Sequence, residues 1–268
     1  MYELELETAV DAAQQAGDLL RTYLEVERTI QFKGATDLVT DADFASQRLI
    51  QDLLLGRFPD DGFLGEEATE LGVVAGAARQ WVVDPLDGTT NYAHGYPLFS
   101  VSVALVAEGR PEVGAVYVPV LGYMFAGRRG GGATLNGKPI HVSPTVALEN
   151  ALLTSGFAYD RQVRGDNLAA WSAFVARARG VRRSGSAAFD LCAVAAGMLD
   201  GYWERGVSAW DVAAGSVILE EAGGILTDYA GGPFDPFSRE VVAGTPGIHP
   251  ALLETIRESR SAASIPAG

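Results

Sequence analysis

The stretch from Leu98 to Val142 constrains this chain most. "FSVSVALVAEGRPEVGAVYVPVLGYMFAG" sets small, apolar and β-branched residues between glycine and proline turns, and "ATLNGKPIHV" adds an Asn-Gly hairpin signal. Together they predict an antiparallel meander. Helices flank it. Leu6, Ala9, Val10, Ala13, Ala16, Leu19, Leu20 and Tyr23 keep helical spacing from Leu4 to about Glu27. A second helix is predicted from about Asp43, with Phe44, Leu49, Ile50, Leu53 and Leu54 on one face and Pro59 at its end. After Pro144 strand and helix alternate: "NALLTSGF", a helix near Asn167 to Arg179, a strand, "SAAFDLCAVAAGML", "GYWERG", then a helix from about Asp211 that closes at Gly223 and Gly224. The composition changes near Ser143 to Asn150, which divides the chain into an α+β half, 1–146, and an α/β half, 147–268. No Pro/Ser-rich linker separates them.

With 268 residues, 48% of them hydrophobic, the chain can bury a large core. Its 20 basic residues stand against 34 acidic ones, a net charge of -14, the wrong sign for binding a phosphate backbone. Nucleic acid is therefore not expected as a partner. The single cysteine, Cys192, sits in apolar "AFDLCAVAAGM" and reads as a core residue, in keeping with a reducing cytoplasm. The acidic, amphipathic N-terminus and the lack of a membrane-length apolar run argue against export or insertion.

Acids gather where strands stop. "DGFLGEEA" ends in Glu66 and Glu67, and "QWVVDPLDG" ends in Asp84 and Asp87. Pro85 fixes its own φ and biases Asp84 toward an extended conformation, so the strand is expected to end at Asp84 in a sharp turn that aims both carboxylates one way. Alone, Asp87 is equally well explained as a cap before Gly88 and Thr89. "WDVAAG", with Asp211 at a helix start, makes a third such acid. Converging carboxylates repel and call for a cation. Mg²⁺ takes oxygen ligands and shares them with phosphate, whereas zinc wants His or Cys, and His94, His141 and His249 are scattered. Amides at Gly88, Thr89 and Thr90 could hold a phosphoryl group at a helix start.

These segments resemble the inositol monophosphatase family of Mg²⁺-dependent, lithium-sensitive sugar phosphatases. The likeness runs through "DLVTDAD" at Asp37, "GEE" at Gly65, "WVVDPLDGTTNYAHGYPLFSVSVAL" at Trp81, "GGATLNGKPIHVS" at Gly131, "RRSGSAAFDLCAVAAG" at Arg182, "GYWERG" at Gly201 and "WDVAAG" at Trp210. It implies a layered α-β-α-β-α sandwich, an α/β (α+β) fold of the inositol monophosphatase and fructose-1,6-bisphosphatase type, with the site between the halves. It implies that Glu66, Asp84 and the Leu86 carbonyl hold one Mg²⁺, that Asp84, Asp87 and Asp211 hold a second, and that Glu66 helps a third through water. Glu67 and Lys33 are further possibilities. Asp43, bonded to Thr89, would help activate water for in-line attack, with no phosphoenzyme. Gly88 and Thr89 would hold phosphate, while Ala187, Glu204 and Asp87 would meet substrate hydroxyls. Asp190 and Arg183 read as structural.

The resemblance further implies a homodimer acting on a small phosphorylated polyol or sugar, inositol monophosphate first. Fructose 1,6-bisphosphate is suggested by "TSGFAYD" at Thr154, and adenosine bisphosphate, NADP and histidinol phosphate are the remaining substrates to weigh. Arg161, Arg164, Arg182 and Arg183 could meet a second phosphate, or be surface charges around a helix. In another class, the fold could serve as a non-catalytic, partner-binding module.

Overall fold

A computed structural model describes residues 1–24, 30–32, 38–67, 78–158 and 161–263. Helices α1 (Glu3–Leu24) and α2 (Asp41–Arg57) are separated by an antiparallel ribbon of β1 (Ile30–Phe32) and β2 (Leu38–Thr40). A seven-stranded sheet runs in spatial sequence: β3 (Gly62–Gly65), β4 (Arg79–Asp87), β5 (Ser100–Ala107), β6 (Arg110–Val118), β7 (Tyr123–Arg128), β8 (Gly132–Leu135) and β9 (Lys138–Pro139). A short helix, α3 (Thr89–Ala93), joins β4 to β5. The second sheet is built from β10 (Leu152–Ser155), β11 (Gly180–Arg182), β12 (Gly201–Arg205), β13 (Ile225–Thr227) and β14 (Glu240–Gly244), in the order β11-β10-β12-β14-β13. Its helices are α4 (Arg161–Val175), α5 (Ala187–Ala195), α6 (Ala209–Glu221) and α7 (His249–Ala263). The predicted meander is β5 to β9, and α4 begins earlier than its apolar spacing indicates.

Five layers result. α1 and α2 cover one face of the large sheet, α5 and α6 fill the space between the sheets, and α4 and α7 cover the far side of the small one. The strand period of two assigns side chains to layers. Trp81 and Val83 point to α1 and α2, and Val82 between them points to α5 and α6. In β12, Tyr202 joins the middle layer while Trp203 packs under α4 and α7. With both faces covered, β5 is buried along its whole length, which is why "SVSVALVA" carries no charge.

Two features of the large sheet are absent from the sequence reading and bear on the site. The sheet is not wholly antiparallel: β3 and β4 run parallel, in register Gly65↔Val83. The parallel pair brings the strand ends that carry Glu66 and Asp84 to the same edge. The second concerns α6, the helix that carries Asp211, which lies so close to β6 that a Cβ on Gly114 would enter the backbone of Ala214. Gly114→Ala is expected to cost about 1–3 kcal/mol of stability, the usual penalty of overpacking, since helix backbone must move. Chemical denaturation checks this, and a variant as stable as wild type would show that α6 can shift freely.

Candidate active site

β4 does not stop at Asp84. Pairing with β5 continues to Asp87 through a bulge: Asp84 lies opposite Ser102 and Asp87 opposite Ser100, so Pro85 and Leu86 face Val101 alone. This corrects the expected sharp turn. In an unbroken strand, residues three apart point to opposite faces; one extra residue restores Asp84 and Asp87 to the same face. Proline suits the bulge because it has no amide proton to leave unpaired. The bulge is fastened on all sides. Leu86 N donates to Asp84 Oδ1 (2.9 Å), Ser46 Oγ to the Pro85 carbonyl (2.8 Å) and Thr89 Oγ1 to the Leu86 carbonyl (3.1 Å). The family resemblance implies an Asp43 bond for Thr89; the hydrogen bond described for its hydroxyl is the one to Leu86. Gly88 comes next with φ of 100°, a left-handed conformation that favours glycine and turns the chain into α3.

Asp87 receives Ser186 Oγ and Ala188 N on its Oδ2, each at 2.7 Å, with Ser100 Oγ at 3.5 Å. Ser186 is the N-cap of α5 and accepts from Phe189 N. Asp87 thus ties the bulge of the large sheet to the first turn of a helix in the middle layer. Asp211 comes from the first turn of α6, where its Oδ2 accepts from Ser208 N (2.7 Å). Ser102 Oγ donates to the carbonyl of neighbouring Trp210 (3.0 Å), which sets α6 against β5 beside Asp84.

A single cleft between the sheets brings together Glu66, Asp84, Leu86, Asp87, Gly88, Thr89, Ala187, Glu204 and Asp211. Its wall also includes Gly156, Phe157, Ala158, Ser186 and Asp190, which have no site role in the sequence reading, and Arg183, which reads there as structural or as a contact to a second phosphate. Among the described residues Arg183 is the one basic side chain in that wall, and its guanidinium lies 5.4 Å from the centre of the Phe157 ring. Gly156, Phe157 and Ala158 lie in "TSGFAYD", just past β10, and Arg183, Ser186 and Asp190 in "RRSGSAAFD", just past β11. Glu67 is half-buried and outside the cleft wall, its amide bonded to Gln47 Oε1 (2.9 Å). Asp43 lies fully buried in the first turn of α2, where its charge acts on Asp84. Lys33 lies outside the described residues.

The carboxyls are crowded. Burial, then Glu66, Asp87, Asp211 and Asp43, push Asp84 well above the usual carboxylate range. Asp211 is pushed up to about 8 by burial and Asp87, and its carboxyl is in hydrogen-bond contact with that of Asp84. Asp87 rises to about 6 through burial, held down by Ser186 and the Ala188 amide. Glu204 rises to about 7, again by burial first, against the hydrogen bond from Tyr202. Carboxyls this close need protons or a cation between them. The donors are all hard oxygens, which suits Mg²⁺ and not zinc. Among the described residues no three His, Cys, Asp or Glu side chains close on one point as a ready-made cage. An open set of carboxylates is what Mg²⁺ uses when it keeps waters and shares substrate oxygens. Cys192, buried with its thiol pushed up by burial and Asp87, is no nucleophile.

Two sheets with an acid-lined cleft between them define a layered α/β protein with a candidate site for a hard cation. The model of the inositol monophosphatase family matches residues 1–261, and the chain belongs to that family. Inositol-1-monophosphatase of Synechocystis sp. is 44% identical over 253 residues, covering 94% of this chain and 88% of the relative. A Pseudomonas aeruginosa relative, Nus factor SuhB, is 41% identical, covering 94% and 95%. The solved structure of inositol monophosphatase from Anabaena (Nostoc) sp. superposes with a TM-score of 0.87 at 42% identity, over 96% of each chain.

Proposed function

We propose that this protein is a Mg²⁺-dependent phosphatase that hydrolyses inositol monophosphate to inositol and phosphate. The observation that carries this reading is the bulge that turns Asp84 and Asp87 to one face, beside Asp211 and Glu66, in a cleft that also presents Ala187 and Glu204. In this reading Glu66, Asp84 and the Leu86 carbonyl hold one Mg²⁺, and Asp84, Asp87 and Asp211 hold another. The four carboxylates carry -4, which two Mg²⁺ balance, so a phosphate dianion favours a third ion. When bound, the ions supply Lewis-acid activation of water and neutralise charge on the phosphoryl oxygens and leaving alkoxide. The chain positions the rest. Asp43 and Thr89 orient the attacking water, the Gly88 and Thr89 amides bind phosphate oxygens, and Glu204 accepts hydrogen bonds from substrate hydroxyls.

The test is phosphate release with and without Mg²⁺ from inositol 1-phosphate, fructose 1,6-bisphosphate, NADP, adenosine bisphosphate and histidinol phosphate. Fastest Mg²⁺-dependent turnover of inositol 1-phosphate, with lithium inhibition, is expected. No Mg²⁺-dependent release from any of them would leave the non-catalytic, partner-binding reading. The full set of cleft carboxylates favours catalysis. The family resemblance also carries the proposals of a homodimer and a cytoplasmic enzyme; light scattering of the purified protein tests the first.

Arg183 favours a second reading, a sugar bisphosphate. It lines an otherwise acidic cleft and, among the described residues, has no hydrogen-bonded or ion-paired partner to hold it away from substrate. If it meets a second phosphate, Arg183→Ala will cut kcat/KM for fructose 1,6-bisphosphate by roughly 10-fold or more, the order expected for a charge-assisted contact, and spare inositol 1-phosphate. Equal effects on both substrates would exclude that contact.

A further inference from the structure

Asn167 lies on α4, fully buried and outside the cleft wall, yet it grips both backbone segments that frame Glu204. Its Nδ2 donates to the carbonyls of Gly156 (3.1 Å) and Arg205 (3.3 Å), and its Oδ1 accepts from Arg205 N (3.1 Å) and Tyr229 OH (2.9 Å). Both donors and both acceptor sites of the amide are used. β10 and β12 pair in parallel only as far as Ser155↔Trp203. Beyond that point Gly156 and Glu204 have no ladder bonds to one another, and the Asn167 amide takes over the holding of the two chain ends together.

The fit around Glu204 is tight. Tyr202, fully buried, donates its hydroxyl to Glu204 Oε2 (2.9 Å). A Cβ on Gly156 would overlap the Glu204 carboxylate, so the glycine is what lets that side chain lie across the β10 end. Any drift of Gly156 or Arg205 therefore moves the carboxylate.

We propose that Asn167 is a positioning residue for substrate selection: by clamping Gly156 to Arg205 it sets where Glu204 presents its carboxylate to a hydroxyl of the substrate. This rests on the reading of Glu204 as a polyol contact. Asn167 reaches the cleft wall through the Gly156 carbonyl and makes no hydrogen bond to Glu66, Asp84, Asp87 or Asp211, so its influence falls on the alcohol side of the substrate more than on the phosphoryl group. Displacements of about 1 Å in such positioning groups cost up to about 100-fold in rate.

The test compares inositol 1-phosphate with an aryl phosphate, which has no hydroxyl for Glu204 to accept from, in the full-length protein with Mg²⁺. Asn167→Ser is expected to lower kcat/KM for inositol 1-phosphate by roughly 10- to 100-fold, mainly through KM, and to change the aryl ester by less than about 2-fold. In a Glu204→Ala background the same substitution should have no further effect on the ratio of the two substrates, because the acceptor it acts through is gone. Tyr229→Phe, which removes one donor to Asn167 and leaves the rest of its contacts, should shift the ratio in the same direction by a smaller factor; it serves if Asn167→Ser does not fold. Equal losses on both esters, a full effect in the Glu204→Ala background, or an unchanged ratio in a folded Asn167→Ser or Tyr229→Phe protein would overturn the inference. Wild-type protein that releases phosphate from neither ester would overturn the phosphatase reading itself, and this inference with it.

Discussion

Asp87→Asn is expected to remove nearly all Mg²⁺-dependent phosphate release, by about 100-fold or more, while the protein stays folded. Removal of one preorganised electrostatic group at a developing charge costs on the order of 100- to 1000-fold. The size of the loss comes from how this carboxylate is held. Its Oδ2 already accepts from Ser186 Oγ and Ala188 N, so an asparagine keeps its carbonyl oxygen there and turns its amide NH₂ toward the cleft. A donor then faces the cation that Asp84, Asp87 and Asp211 are proposed to share. Folding suffers little, because the contacts with the α5 N-terminus persist and one member of a repelling group is neutralised. Steady-state phosphate release and a thermal melt on the same preparation decide it. Turnover near wild type would mean that Asp87 is a structural cap and not a metal ligand.

The second large effect is on stability. Asp87 and Asp211 have folded-state values of about 6 and about 8, above the ordinary aspartate value near 4. A group raised on folding lends stability that is complete below its unfolded pKa and lost as pH rises through its folded one. The Mg²⁺-free protein should therefore lose stability steadily from about pH 4 to pH 8, by an amount on the order of several kcal/mol, since a tenfold change in proton affinity corresponds to about 1.4 kcal/mol. Mg²⁺ replaces the missing protons, so it should stabilise most where the carboxyls are ionised. At 100 times its Kd the gain is about 2.7 kcal/mol, or about 5–10 °C in Tm for a chain of this size, at pH 8 and less at pH 5. The net charge of -14 also disfavours the fold at high pH. Asp211→Asn separates the two causes, because it removes the site's share and leaves the rest of the surface charge. Melting curves with EDTA or Mg²⁺ across this range provide the check, and a Mg²⁺ effect on Tm that is the same at pH 5 and pH 8 would count against a carboxylate-bound ion.

Much of the fold is legible because its elements are periodic. The apolar face of α1, that of α2 apart from the exposed Phe44, the Asn-Gly hairpin of β8 and β9, and the alternation of strand and helix after Pro144 all correspond to elements of the structure. Pairing is where sequence reasoning falls short. That β3 and β4 are parallel depends on which strands become neighbours, and no residue in "GFLG" or "QWVVD" states that. The bulge is similar: "DPLDG" announces a break, but a turn and a bulge share the same proline signal, and only pairing with Ser100 and Ser102 tells them apart.

The cleft divides in the same way. Glu66, Asp84, Asp87 and Asp211 are recognisable because an acid at the end of an apolar strand or the start of a helix is costly without a purpose. Asp190 and Phe157 are not, since an acid inside a helix or an aromatic residue after a strand is ordinary in sequence, and Arg183 is singled out only together with Arg161, Arg164 and Arg182. Asn167 gives no signal at all: a polar residue in an amphipathic helix is unremarkable until its four hydrogen bonds are seen.

The sequence by itself determined which residues carry charge and which hide it, and hence most helices and strands and the acids at their ends, because burial preference is a property of each side chain and its period. Only the tertiary structure decided that Asp84 and Asp87 share a face, that Glu66 stands beside them and that Glu204 looks across from the other sheet. Those relations depend on strand register and helix docking over long separations in the chain, and register is fixed by the summed fit of many residues, none of which specifies it alone.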